Sequence, residues 1–283
     1  MHGSGLFNLL FQTGAFRVCP EGKPFWYTSG TIGPHYINTH FLYGSEKKAL
    51  ELLKTIDALK ADKQACPVKL LSLLESNYAS DEIYKGVIDG MLEFIRNNIK
   101  PEDIEYISGG ERRDWFFSPM IAERLNKPHI TLYKDLSAVI TKDGEVIASE
   151  SINGAGVLHI ADLVTEASSY ERAWIPAIKN ICGQITHSVA VVDRLQGGRE
   201  LLERNNVCSF AMVSIDQSFF DNALDMKLIS KGQYEMLLEY TKNPRESMKA
   251  FLDGHPEFLQ NALKADEKTR ERARLCIEKK IYE

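Results

Sequence analysis

Close cysteine pairs are missing from this chain. Cys19, Cys66, Cys182, Cys208 and Cys276 are odd in number and widely spaced. That pattern excludes a C-x-x-C zinc or redox motif and leaves reduced, structural thiols as the expectation. The seven histidines are equally scattered, and His35 and His40 stand five apart rather than on one helical face. No metal is therefore expected to be held directly by the chain. An excess of basic charge is lacking too: 34 Lys+Arg stand against 39 Asp+Glu, a formal net charge of -5. A nucleic-acid partner, which needs a basic footprint, is not expected. No apolar run reaches the roughly 18 residues of a membrane helix, so no membrane partner is expected. The short apolar run within residues 1–10 lacks the basic flank and small-residue cleavage site of a signal peptide, which makes a cytoplasmic location the expectation. Internal repeats and low-complexity segments are also absent.

What remains is an ordinary globular composition, 44% hydrophobic and 26% charged over 283 residues. That length suits one large domain or two modest ones with a full core. Residues 1–45 are rich in aromatics, Gly and Thr, with Ser29-Gly30 and Gly33-Pro34 as turn punctuation, and predict a helix over 5–13 and then two short strands around a turn, Tyr36-Ile37 reading as a short strand. Residues 46–100 predict three helices. The first shows Leu50, Leu53, Ile56 and Leu59 at helical spacing, the second enters through Pro67, and the third starts at Ser80 as N-cap, with Ile83, Val87, Met91, Phe94 and Ile95 on one face.

From 101 to 216 the texture becomes strand–loop–helix. Strands are expected over 104–108, 129–133, 157–160, 188–192 and 208–213, with helices over 115–125, 170–182 and 199–205. Residues 137–149 alternate about Asp143-Gly144 and predict a hairpin. Residues 217–283 read as a helical tail whose charges form a solvated face. The fold class is thus α/β: an open parallel sheet flanked by helices, with an N-terminal hood (1–45), a helical insertion (46–100), a core (101–216) and a helical C-terminal extension (217–283).

Ligands of open α/β sheets sit beyond the carboxyl ends of the strands, which selects loops 109–114, 162–169 and 193–198. In the first, Gly109 and Gly110 allow close backbone approach, and Arg112 and Arg113 offer planar forks to an anion. A surface turn with two solvent-facing arginines is the alternative. In the second, Thr165, Ser168 and Ser169 offer hydroxyls and N–H groups to a phosphate, and Asp162 is placed to accept from ribose hydroxyls. An ordinary capped helix start is the alternative there.

The 159–170 stretch resembles the phosphoribosyl-diphosphate motif of type I phosphoribosyltransferases: an apolar strand, two acids, two apolar residues, then Thr-x-Gly-Thr. Ser29-Gly30-Thr31-Ile32-Gly33-Pro34-His35-Tyr36-Ile37-Asn38 and Val191-Val192-Asp193-Arg194-Leu195-Gln196-Gly197-Gly198 resemble two further segments of the orotate phosphoribosyltransferases, in the same order. The resemblance implies transfer of a phosphoribosyl group from phosphoribosyl diphosphate to orotate or a related pyrimidine base, with Mg2+ carried on the diphosphate. It implies that Asp162, Thr165, Ala167, Ser168 and Ser169 hold the phosphoribosyl group, and that Gly109, Gly110, Arg112 and Arg113 hold the diphosphate. Tyr36 and Arg194 would meet the base, Asp162, Lys134 and Lys142 would be catalytic, and the protein would be a homodimer.

The chain also departs from the motif. Ala161 stands for the first acid, Ala167 for the glycine, Glu166 adds a negative charge, and Thr28 replaces a lysine. Of the family's mobile Lys-x-x-Lys-x-His-Gly loop, only Lys134 and the Lys142-Asp143-Gly144 echo remain. These departures open a second reading: a catalytically impaired protein of this fold that binds a phosphoribosyl ligand or nucleotide for regulation or partner binding.

Overall fold

The computed structural model describes residues 4–147 and 151–282. Two compact units emerge: residues up to Ala15 with Asn38–Ile215, and Phe16–Ile37 with Asp216 onward. The 1–45 segment is therefore divided between the units. The helices of 46–100 and nearly all of 101–216 lie in the larger one, and the 217–283 tail lies in the smaller.

In the smaller unit, β1 (Phe16–Val18) pairs antiparallel with β4 (His35–Ile37), and β2 (Phe25–Trp26) with β3 (Ile32–Gly33). Gly30 turns the second pair at φ +85, and a Cβ there would press on Leu275 and Cys276. Trp26 and Ile32 are buried with Tyr240, Met248, Leu252, Ala262, Ala273 and Cys276 of the tail helices. The charge run after residue 264 is thus one face of a helix, Glu267–Glu278, whose other face buries Ala273 and Cys276.

The larger unit is built on a seven-stranded sheet of order β11-β10-β9-β5-β6-β7-β8. Its strands are β5 (Tyr106–Gly110), β6 (His129–Leu132), β7 (Ala138–Lys142), β8 (Glu145–Ile147), β9 (Gly156–Val164), β10 (Gln184–Asp193) and β11 (Cys208–Ser214). β5, β6, β9, β10 and β11 run parallel. β7 and β8 form the expected antiparallel hairpin, with Lys142 opposite Glu145. Asp143 and Gly144 both take positive φ, as a two-residue hairpin turn of this twist requires. The last two residues of that expectation, 148 and 149, lie outside the described residues.

Several boundaries move from those expected, each for a physical reason. β9 does not stop at Ile160 but continues through Ala161-Asp162-Leu163-Val164, because both of its faces are covered and even Asp162 is buried there. The helix expected over 115–125 is broken into a 3-10 turn, Asp114–Phe116, and an α-helix, Ser118–Arg124, since Pro119 has no N–H to continue the first. The helix after the 165–169 loop opens as a π-turn, Tyr170–Trp174, before Ile175–Asn180.

In the helical layer Leu50 is exposed, and Glu46–Leu59 buries Ala49, Leu52, Leu53 and Ile56 instead. Ser80 ends Cys66–Ser80; the N-cap of Glu82–Asn98 is Asp81, whose Oδ1 accepts from the Tyr84 N–H at 2.9 Å. The Lys48 ammonium donates to its other oxygen at 2.7 Å. Asp81→Ala is therefore expected to cost about 1–2 kcal/mol of stability. Ser80→Ala should stay within roughly 0.5 kcal/mol. Denaturant unfolding of the two variants checks the contrast.

Candidate functional site

β5, β9 and β10 end on the same side of the sheet, and the loops leaving β5 and β9 line a cleft of about 390 Å³. One wall carries Glu111, Arg112, Arg113 and Asp114; the other carries Asp162, Thr165, Glu166, Ala167, Ser168 and Ser169. Lys134, just past β6, closes one side, and Tyr170 and Trp174 complete the lining.

Backbone geometry explains how these residues meet. Ala167 sits at φ 53, a left-handed conformation that glycine adopts freely and alanine rarely does. The 165–169 loop keeps its turn there despite the missing glycine. The neighbouring loop braces it: the Arg194 N–H donates to the Val164 carbonyl at 2.9 Å and the Gly198 N–H to the Thr165 carbonyl at 3.0 Å. Gly198 lies so close that a Cβ would sit 2.7 Å from the Thr165 oxygen. Arg172 reaches back to Ser168, its Nε donating to the carbonyl at 3.2 Å. On the other wall, Asp114 Oδ2 accepts the Gly110 N–H and its Oδ1 the Asp162 N–H, both at 2.9 Å. The Glu111–Arg112 peptide is cis.

The electrostatics are mixed. Asp162 accepts from the Thr39 hydroxyl at 2.6 Å. Burial, and then the charge of Asp114, push its carboxyl up to about 7, against the opposing pull of Arg113 and Thr39. His40, from the 3-10 helix Thr39–Tyr43, is held neutral: burial, then Arg113 and Arg112, lower it to about 3. Two of the charges on the β5 loop have partners outside the cleft. Arg112 is ion-paired with Asp57, and Glu111 with Lys60 at 3.0 Å. Glu111 also accepts the Lys134 N–H at 3.2 Å. Arg113, Glu166, Ser168, Ser169 and Lys134 are exposed.

Most residues expected at the site converge on this cleft: Asp162, Thr165, Ala167, Ser168, Ser169, Arg112, Arg113 and Lys134. Five do not, or do so differently. Gly109 and Gly110 are buried in β5, where a Cβ would strike Ser118 and Trp174 respectively. Their small size serves packing, which corrects the expectation of backbone approach to a ligand. Lys142 is in the β7–β8 hairpin and lines a separate small hollow with Pro67, Pro119 and Lys127. Arg194 braces Val164 through its N–H and does not line the cleft. Tyr36 lies in the smaller unit, against Phe25 and Tyr27, with its hydroxyl donating to the Trp26 carbonyl. Asp162 itself belongs to a strand rather than a loop.

Asp114, Thr39, Glu111 and Trp174 are lining or supporting residues that sequence reasoning did not single out. Asp114 carried a legible signal, an acid one residue after two arginines at a strand end. Trp174 carried none, since an aromatic on a helix reads as core.

The close approach of Gly198 to the 165–169 loop has a testable consequence. Gly198→Ala is expected to lower stability by about 1–3 kcal/mol through overpacking against the Thr165 carbonyl. Thermal unfolding of the variant beside the unaltered protein measures the loss.

No family model matches this chain, and neither does any curated protein. Solved structures do match. UMP synthase from Leishmania donovani aligns with a TM-score of 0.56 at 16% identity, over 84% of this chain and 41% of that one. Orotate phosphoribosyltransferase from Francisella tularensis aligns with a TM-score of 0.51 at 14% identity, over 83% of this chain and 96% of that one. At such identities the likeness is one of architecture. The α/β sheet with its flanking helices has the type I phosphoribosyltransferase fold, and the described cleft lies at the carboxyl ends of its parallel strands.

Proposed function

We propose that this protein binds a phosphoribosyl ligand in the cleft and transfers the phosphoribosyl group from phosphoribosyl diphosphate to orotate or a related base. The observation that carries this reading is the convergence of a hydroxyl-rich turn, two buried carboxyls and three cationic side chains on a single cleft. A phosphate needs N–H and O–H donors, and Thr165, Ser168 and Ser169 offer both at the opening of a helical turn. Asp162, fixed by Thr39 on one oxygen, orients the ribose hydroxyls. Arg112, Arg113 and Lys134 face the region where a diphosphate would leave.

Cleaving the glycosidic carbon–oxygen bond builds positive charge on the sugar and negative charge on the departing diphosphate. Cationic side chains fixed beside the leaving oxygen stabilise the second charge without reorganising. Magnesium belongs to the substrate in this reading, carried on the diphosphate oxygens, where it would neutralise leaving-group charge. The two cationic groups without an ion pair among the described residues, Arg113 and Lys134, are given the diphosphate role, with Arg112 held beside them by Asp57. Lys142 receives no role from its position in the hairpin. The base contact stays with Arg194 on the resemblance of its segment, and Tyr36, in the smaller unit, is given no role in this cleft.

Release of diphosphate from phosphoribosyl diphosphate, dependent on both orotate and magnesium, is the expected result. Arg113→Ala and Lys134→Ala should each lower kcat/KM by about a hundredfold, the usual effect of removing one transition-state donor. One feature favours the second reading, binding without turnover: the Glu166 carboxylate on the phosphate wall opposes an anionic ligand. Thermal stabilisation by phosphoribosyl diphosphate with no turnover on orotate or any common nucleobase would establish that reading instead.

A further inference from the structure

Asp114 has no place in the reaction just described, yet it is the best-connected carboxylate in the cleft. It is buried, and both of its oxygens are engaged by backbone: Oδ2 by the Gly110 N–H and Oδ1 by the Asp162 N–H, each at 2.9 Å. His159, fully buried on β9, brings its Nε2 to 3.4 Å from the same Oδ2, while its Nδ1 meets the Ser108 hydroxyl at 2.9 Å. One side chain thus ties the end of β5 to the end of β9. A second buried acid, Asp162, stands directly beside it.

We propose that Asp114 is a positioning residue of this site, fixing the two ligand loops to one another, and that Asp114 and Asp162 form an acid pair that carries a single proton when a sugar phosphate binds. The proposal rests on the phosphoribosyl reading of the cleft for its ligand, but the pair itself is read from the geometry. Two adjacent carboxyls withdrawn from water cannot both ionise cheaply. The lining supplies a second reason. Glu111, Asp114, Asp162 and Glu166 face Arg112, Arg113 and Lys134, four acids against three bases. One proton on the pair makes the charges level before an anion arrives. The proton resides on Asp162, which burial and the Asp114 charge keep protonated up to about pH 7.

The surroundings of the pair are accounted for element by element. Arg113 acts on Asp162 from the β5 loop, and Thr39 donates to it from the 39–43 helix. His40, in that same helix beside Arg113, is neutral at these pH values. His159 is on β9 itself. Tyr170, on the helix that follows, senses Asp114, Asp162 and the Asp193 carboxylate at the end of β10. Its phenol is pushed up by burial and stays neutral.

The sign of the effect follows. An anion binds best with the pair protonated, so affinity falls as pH rises through the Asp162 midpoint, by about tenfold per pH unit above it. The test has two arms. In the ligand-free protein, the Asp162 carboxyl 13C signal should titrate near pH 7. In Asp114→Asn the midpoint should fall by about one pH unit or more, once the neighbouring charge is gone. In the second arm, ribose 5-phosphate affinity is measured from pH 6 to 8.5, corrected for the ligand's own titration. Wild type should show the loss, and Asp162→Asn should not.

An ordinary midpoint near 4 for Asp162 in the folded wild type overturns the proposal. So does an unchanged midpoint in a folded Asp114→Asn, or a pH-dependent loss of affinity that survives in Asp162→Asn. If Asp114→Asn does not fold, the wild-type 13C midpoint and Asp162→Asn still decide the matter. A carboxyl midpoint near 7 with no ribose 5-phosphate binding at any pH would sink the functional reading, and with it the ligand half of this proposal. The acid pair would stand.

Discussion

Everything in the cleft depends on how the end of β5 is joined to the end of β9, and that joint is a carboxylate accepting backbone N–H groups from both strands. Parallel neighbours in a sheet share slanted hydrogen bonds only while they remain paired. β5 and β9 pair through Ser108 and His159 and then diverge. Past that point Asp114 replaces the sheet's own bonds, holding Gly110 and Asp162 where no carbonyl reaches them. A charge-assisted bond is roughly twice as strong as a neutral one, which suits a junction that must leave space for a ligand. The two walls take their positions from it: arginines on one side, a hydroxyl-rich turn on the other.

The same joint sets the chemistry. Burying Asp114 beside Asp162 costs desolvation, and the cost is met by N–H donors, the Thr39 hydroxyl and a retained proton. The second wall is held by small residues from behind. Gly198 lies against the Thr165 carbonyl and lets the β10 loop support the 165–169 turn, and Ala167 takes the left-handed backbone of that turn. The alanine in the glycine's place still takes the left-handed conformation, while the charge of the cleft is mixed. Glu166 adds an acid, and Arg112 is engaged by Asp57.

Much of this was legible in the sequence. Strand–loop–helix alternation gave the parallel sheet, and Asp143-Gly144 gave the hairpin, because turn chemistry and hydrophobic period are local properties. Thr165, Ser168, Ser169, Arg112 and Arg113 were legible as loop residues at the carboxyl ends of the strands, and the structure brings them to one cleft. What failed was non-local. Leu50 lies on the helical period of its neighbours, yet the face that packs is Leu52, Leu53 and Ile56. Ser80 and Asp81 are both capping types, and only the approach of Lys48 and the Tyr84 N–H distinguishes them. Gly109 and Gly110 look like ligand-approach glycines, but Ser118 and Trp174 fill the space beside them. Asp114 is one acid among many in the sequence, and its role exists only once β9 lies beside β5.

The structure of the protein crystallised with phosphoribosyl diphosphate and magnesium tests the central claim most directly. The account requires the 5′-phosphate within hydrogen-bond reach of Thr165, Ser168 and Ser169, a ribose hydroxyl on Asp162, and the diphosphate beside Arg113 and Lys134. A ligand bound elsewhere on the chain, with the 165–169 turn left empty, would contradict it.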